Sequence, residues 1–190
     1  MPPIKRITKE DIVEAAIDLI RESGEASLSA RAIATKLSCS TQPVFSCFAN
    51  MEALRAAVIE AVDKMCNAYM KEEAESGKYP FYKSFGLGYI RFAREEKALF
   101  HLLYMRDRSG ETIPESNELL DHMADVVQQA TGLDRERALR FHLSVWTCVH
   151  GIATMLATSY LDLGDELICE MITEVYQGLR KQYEGGATSS

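Results

Sequence analysis

The sequence predicts an all-α protein, and three observations carry that prediction. Apolar residues recur at the 3.6-residue spacing of helices over nearly the whole chain, and no segment alternates with period two for long enough to make a strand. The breaks between periodic segments are short, polar and marked by glycine or proline. With 190 residues, 47% hydrophobic and 26% charged, the chain can bury a real core as one large domain or two small ones sharing a helix.

The first helix is expected over Thr8 to Glu22. Ile12, Val13, Ala16, Ile17, Leu19 and Ile20 form one stripe, with Lys9, Glu10, Glu14, Asp18 and Arg21 opposite. Thr8 and Asp11 are spaced as a capping box, each able to satisfy a backbone N–H that the first turn leaves without a partner, and Gly24 suits the helix end. Ser29 opens a short second helix that carries Ile33, Ala34 and Leu37 inward. After the turn "LSCS" a third short helix is expected from about Ser40 to Cys47, then a long one from near Asn50 to about Glu75. The breaks "ESGKYP", "RSGETIP" and "TGLD" divide the remainder into helices over 79–94, 96–105, 115–130 and 134–160, and "DLGDE" precedes a last helix over 165–183. The polar tail "GGATSS" is expected to be disordered.

Charge and cysteine content exclude several classes. The net charge of −7 speaks against a nonspecific nucleic-acid binder, yet residues 1–55 carry seven Lys or Arg against seven Asp or Glu, while residues 56–190 carry fourteen against twenty-one. The acidity therefore belongs to the rear of the chain. Five cysteines without a C-x-x-C pair indicate neither a disulfide framework nor a zinc cluster. No apolar run approaches the roughly 20 residues of a membrane span, and "MPPIKRITKED" has no secretory core, so a cytoplasmic protein without membrane association is expected.

Short helices are marginal alone, so the first three must hold one another, with Ile33, Ala34, Leu37, Val44, Phe45 and Phe48 available for the purpose. Such a unit turns one helix outward. In a helix-turn-helix that helix enters the major groove and its first residues reach base edges. The outward candidates are Ser40, Thr41, Gln42, Pro43 and Ser46, of which Gln42 can pair in bidentate fashion with adenine. Lys5, Arg6 and Lys9 form a basic arm able to follow a phosphate backbone.

The run "ITKEDIVEAAIDLIRESGEASLSARAIATKLSCSTQPVFSCFANMEAL" resembles the N-terminal domain of the TetR family of transcriptional regulators, over residues 7 to about 60. "VWTCVHGIATML" is similar to a subgroup of that family in which a Trp, a His and a Gly recur, here Trp146, His150 and Gly151. The resemblance implies a helix-turn-helix DNA-binding domain over 1–55, a ligand-binding and dimerisation domain over 56–183, and a tail over 184–190. It also implies a homodimer that binds a palindromic double-stranded DNA operator, most often as a repressor, and a small-molecule effector. Four residues depart from the family pattern: Ser38 stands for the turn glycine, Phe45 for a tyrosine, Cys47 for a histidine and Met51 for a lysine. Losing three phosphate partners lowers affinity, while Ser29, Ser40, Thr41 and the arm remain for phosphates, and Arg31 and Gln42 for bases. A ligand-binding helical dimer whose head no longer reads DNA stays open as an alternative.

In the rear, an aromatic series runs from Tyr79 to Tyr104, with Gly86 and Gly88 inside a helix, where each costs about 1 kcal/mol against Ala. They signal either close packing or room for a ligand. By resemblance, Phe85, Tyr89, His101 and Tyr104, together with Met123, Trp146 and His150, are candidates to line a pocket for an apolar or aromatic effector. For assembly, Leu167, Met171, Val175 and Leu179 form a row on the last helix that, flanked by Ile168, Ile172 and Tyr176, makes a stripe too wide for one neighbour, and Gly151 allows close helix approach. The four histidines show no metal-ligand spacing, and no nucleophile triad or phosphate loop occurs. No catalytic residue, metal or cofactor is expected, and an enzyme is a remote alternative.

Overall fold

The computed structural model describes residues 7–107 and 118–185, and among these residues all regular structure is helical. The helices are α1 (Lys9–Ser23), α2 (Ala30–Lys36), α3 (Gln42–Cys47), α4 (Met51–Glu75), α5 (Phe81–Glu95), α6 (Lys97–Tyr104), α7 (Glu118–Thr131), α8 (Arg135–Ala157) and α9 (Asp165–Gly185), with a 3-10 turn at Glu25–Ser27. Among the described residues no helix is long and apolar enough to cross a membrane.

The chain divides into two compact units, one formed by Met1–Asn67 with Glu96–Arg106, the other by Ala68–Glu95 with Asp107–Ser190. The division runs through α4 and returns α6 to the first unit.

In the first unit the helix ends are made by side chains. Thr8 Oγ1 accepts from the Asp11 N–H while the Asp11 carboxylate accepts from the Thr8 N–H, at 3.1 and 2.8 Å. Gly24 closes α1 with φ 76°. Ser29 Oγ accepts from Ala32 N–H at 3.2 Å to start α2, and Asn50 Oδ1 accepts from Ala53 N–H at 2.8 Å to start α4. Ile12, Ile20, Ile33, Val44, Phe48 and Leu54 close the core. The Arg21 guanidinium grips Glu96 with two hydrogen bonds, 2.9 and 2.6 Å long, which fastens α6 to α1.

The second unit is built on α8, against which α5, α7 and α9 pack. Tyr89, Phe92, Met123, Phe141 and Ile168 are among its fully buried side chains. Gly88 answers the question its presence raised. A Cβ there would stand 2.6 Å from both the Met70 Cα and the Tyr69 carbonyl oxygen, so α5 touches the α4 backbone directly. Gly86 is less constrained, since its Cβ would meet only the Val149 side chain, at 3.3 Å.

α3 and α5 each begin two residues later than the sequence suggests, at Gln42 and Phe81, and α8 and α9 end elsewhere than expected. α8 stops at Ala157 rather than near 160, because Ser159 takes a left-handed conformation (φ 54°) and the Tyr160 N–H turns back to the Met155 carbonyl at 2.9 Å. No glycine marks that stop. α9 runs on to Gly185, while residues 186–190 of the tail and the expected start of α7 at 115 lie outside the described residues.

Candidate functional site

The head is built around the turn between α2 and α3. Ser38 has φ 53°, the left-handed value that the replaced glycine would adopt freely, at a cost to serine of about 1–2 kcal/mol. The Ser38 N–H donates to the Thr35 carbonyl at 3.1 Å and the Cys39 N–H to the Ala34 carbonyl at 2.9 Å, so the turn is closed despite the substitution. Val44 and Phe48 enter the core and thereby fix which side of α3 faces outward. That side presents Thr41, Gln42, Phe45 and Ser46, with Ser40 exposed just before it and Pro43 half-buried. The Ser46 hydroxyl donates to the Gln42 carbonyl at 2.9 Å, which leaves its oxygen to accept.

Most cations of the head are engaged. Arg21 pairs with Glu96, Lys36 with Glu22 at 2.8 Å, Arg55 with Glu25 at 2.5 Å and Lys64 with Glu60 at 2.6 Å. Among the described residues, Arg31 and Lys9 form no salt bridge, although the Lys64 hydrogen bond, aided by the Lys9 charge, holds the Glu60 carboxyl below its usual range. Arg31 is exposed on α2, and Lys9 places its ammonium 5.1 Å above the Phe48 ring. Lys5 and Arg6 lie outside the described residues.

The second unit holds a column of rings on α8. His142, Trp146 and His150 are spaced four apart and lie along one face, with neighbouring centroids 6.3 and 6.2 Å apart and planes within 30° of parallel. Each imidazole meets a phenol from α5: Tyr82 Oη lies 2.9 Å from His142 Nδ1, and Tyr89 Oη lies 2.8 Å from His150 Nδ1. Burial pushes the His142 pKa down to about 4 and lowers that of His150, while it raises that of Tyr82. At neutral pH the column is therefore uncharged. Tyr89 also tilts against Trp146, with centroids 4.6 Å apart.

Of the expected ligand residues, Tyr89, Trp146 and His150 come together, and Phe85 and Met123 belong to the same unit. His101 and Tyr104 belong to the other unit. His101 is exposed on α6, and the Tyr104 hydroxyl lies 3.7 Å from Cys66 Sγ, a buried thiol pushed up to about 12. Sequence reasoning missed Tyr82 and His142. Their signal was present, for Tyr82 precedes Tyr89 by seven residues and His142 precedes His150 by eight, two helical turns in both cases. An open cleft of about 620 Å³ elsewhere in this unit is lined by Lys78, Tyr79, Lys83, Cys169 and four carboxylates, and by none of the expected ligand residues.

On α8, on the segment that follows it and on α9 a set of apolar side chains stands out from the core. Leu143, Met155, Tyr160, Leu161 and Leu167 are exposed, and Gly151, Met171, Val175 and Leu179 are half-buried. Among the described residues no group of three His, Cys, Asp or Glu side chains could hold a metal ion.

Residues 82–175 match the family described as tetracyclin repressor-like, C-terminal domain. An uncharacterized HTH-type transcriptional regulator of Mycobacterium tuberculosis is 22% identical, over 97% of this chain and 87% of its own length. A protein of unknown function from Rhodococcus sp. RHA1 superposes with a TM-score of 0.72 at 20% identity, covering 96% of this chain and 98% of that one. A TetR variant from Acinetobacter baumannii AYE, solved in complex with minocycline, gives a TM-score of 0.59 at 20% identity over 96% and 99% of the two chains. A helix-turn-helix head joined to a helical domain of this kind defines a DNA-binding transcriptional regulator. The chain belongs to the TetR family.

Proposed function

We propose that the protein is a cytoplasmic, ligand-responsive repressor that binds a palindromic operator as a homodimer. The observation that carries this reading is the outward face of α3, where Gln42 stands exposed at the first helical position while Val44 and Phe48 anchor the helix from below. Gln42 supplies an adenine contact and Arg31 an unpaired guanidinium for a base or phosphate. The exposed apolar residues of α8 and α9 supply the surface for a two-fold interface.

The effector reading rests on the ring column. Tyr89, Trp146 and His150 offer aromatic faces with polar tips in an uncharged setting, which suits an apolar or aromatic guest. The A. baumannii AYE TetR variant to which this chain is similar was solved in complex with minocycline. α4 contributes Met51–Asn67 to the first unit and its remaining residues to the second, so an effector and an operator share one helix through which their binding energies couple.

The test is fluorescence anisotropy of the full-length protein with duplexes from its own upstream region, in the presence and absence of competitor DNA. Specific binding that Gln42→Ala reduces supports the reading. Indifference to every duplex, with normal folding, replaces it by the ligand-binding dimer that does not read DNA.

A further inference from the structure

We propose that Phe45 reads a thymine methyl group in the major groove, one or two base pairs from the base that Gln42 contacts. This inference rests on the DNA-binding function proposed above and assigns one specific part of the operator to one side chain.

A lone exposed hydrophobic residue on a protein surface signifies little. Phe45 differs in where it stands. It is 54% exposed, although Val44 just before it and Phe48, the extended residue that caps α3, are 1% and 5% exposed. The two phenylalanines of α3 and its end thus have opposite fates. Phe48 is taken into the core with Lys9 above its ring, whereas Phe45 makes no ring or cation contact among the described residues. The same packing that buries Val44 forces Phe45 onto the side that carries Gln42 and Ser46.

Spacing then sets the register. Gln42 and Phe45 are three residues apart on one helix face, so their Cβ atoms lie about 5–6 Å from each other. Successive base pairs are stacked about 3.4 Å apart. A ring next to Gln42 therefore falls one or two pairs from the adenine that Gln42 holds.

Chemistry selects the partner. A phenyl ring neither donates nor accepts, and in the major groove the thymine C5-methyl is the apolar feature of the base edges. Against guanine O6 and N7, or a cytosine amino group, the ring would strip water from a polar atom and return no hydrogen bond. Against a phosphate it would do the same to a charge. Phe45 thus discriminates in both directions, by covering a methyl where thymine is present and by leaving polar edges unpaired where it is not. The hydroxyl that a tyrosine would carry here is missing, and the loss of a phosphate contact becomes a gain in selectivity.

The probe is a duplex selected from a random-sequence library by the full-length protein, with affinity read by anisotropy. Each thymine is replaced in turn by deoxyuridine, which removes the 5-methyl and leaves pairing unchanged. We expect one thymine per half-site, within two base pairs of the Gln42-dependent adenine, at which the replacement weakens wild-type binding about 4-fold, the effect of one buried methyl. Phe45→Ala should lose affinity for the thymine duplex and be indifferent to deoxyuridine at that position, whereas Phe45→Leu should stay sensitive. If every deoxyuridine duplex binds the wild type equally well, or if Phe45→Ala is as sensitive to the replacement as the wild type, the assignment is wrong. The wild-type series needs no variant, so misfolding of Phe45→Ala cannot hide the outcome. Failure to select any duplex removes the DNA-binding reading and this inference with it. Selection of a duplex that Gln42→Ala weakens keeps that reading whatever Phe45 does.

Discussion

Gly86 and Gly88 sit two residues apart on one helix and should respond differently to the same change. At Gly88 an added methyl would collide with main-chain atoms of α4, which yield only if helices move, so Gly88→Ala should destabilise the protein by about 1–3 kcal/mol or more. At Gly86 the neighbour is a valine side chain that can shift, and alanine is the better helix former by about 1 kcal/mol. Gly86→Ala should therefore be near neutral, and denaturant midpoints of the two variants test the contrast. His142 provides a pH prediction. Unfolded, its imidazole takes up a proton near pH 6.5, but folded it resists until about pH 4. The unfolded state then binds more protons between those values, so the stability present above pH 6.5 falls as pH drops, by about 3 kcal/mol in all once pH 4 is passed. His142→Gln keeps an acceptor for the Tyr82 hydroxyl without a titrating group, and its unfolding free energy should fall less steeply across that window.

At the scale of elements, the head combines a firmly packed scaffold with few free charges. α3 has six residues and is held by Val44, Phe48 and a closed turn rather than by its own propensity. Four of the six described cations of residues 7–67 are paired with carboxylates of the head or of α6, and these pairs limit what the phosphate backbone can recruit. The salt dependence of operator binding should therefore be shallow for a regulator of this type. Met51→Lys should steepen the log–log salt slope by about 1 per head. Gln42→Ala has a different expected signature. It should cost about 1–3 kcal/mol on the selected duplex and little on unrelated DNA, since a base contact is lost and no phosphate contact is.

Exposed Leu143, Met155, Leu161 and Leu167 should be covered by a second copy, so sedimentation at micromolar concentration should give a dimer, and Leu167→Glu should shift it toward monomer. An effector that weakens the operator about 5- to 150-fold corresponds to a coupling of about 1–3 kcal/mol, and the operator must weaken the effector by the same factor. Trp146, the one tryptophan of the chain, sits in the ring column, so its fluorescence should report an effector that lodges there. Titration of aromatic compounds by its fluorescence, with and without operator, should yield two affinities for any true effector. Equal affinities would exclude that compound as the switch.

The periodic apolar stripes, the capping box at Thr8 and Asp11, the caps at Ser29 and Gly24, and the helix-turn-helix spacing were legible in the sequence because each depends on residues within one or two turns. At Ser38 the resemblance marked only where the family has a glycine, and the left-handed φ of 53° emerged from the fold. The end of α8 was not legible, because Ser159 adopts φ 54° without the glycine that usually announces such a stop. The pairing of Tyr82 with His142 and of Tyr89 with His150, the grouping of α6 with the head through Arg21 and Glu96, and the contact of Gly88 with the α4 backbone join residues far apart in the chain. A stripe shows that a helix has a buried face but not which helix covers it, so the sequence by itself determined the elements and the reading motif. Only tertiary packing decided which helices meet, which histidines become neutral and which phenylalanine of the head remains outside.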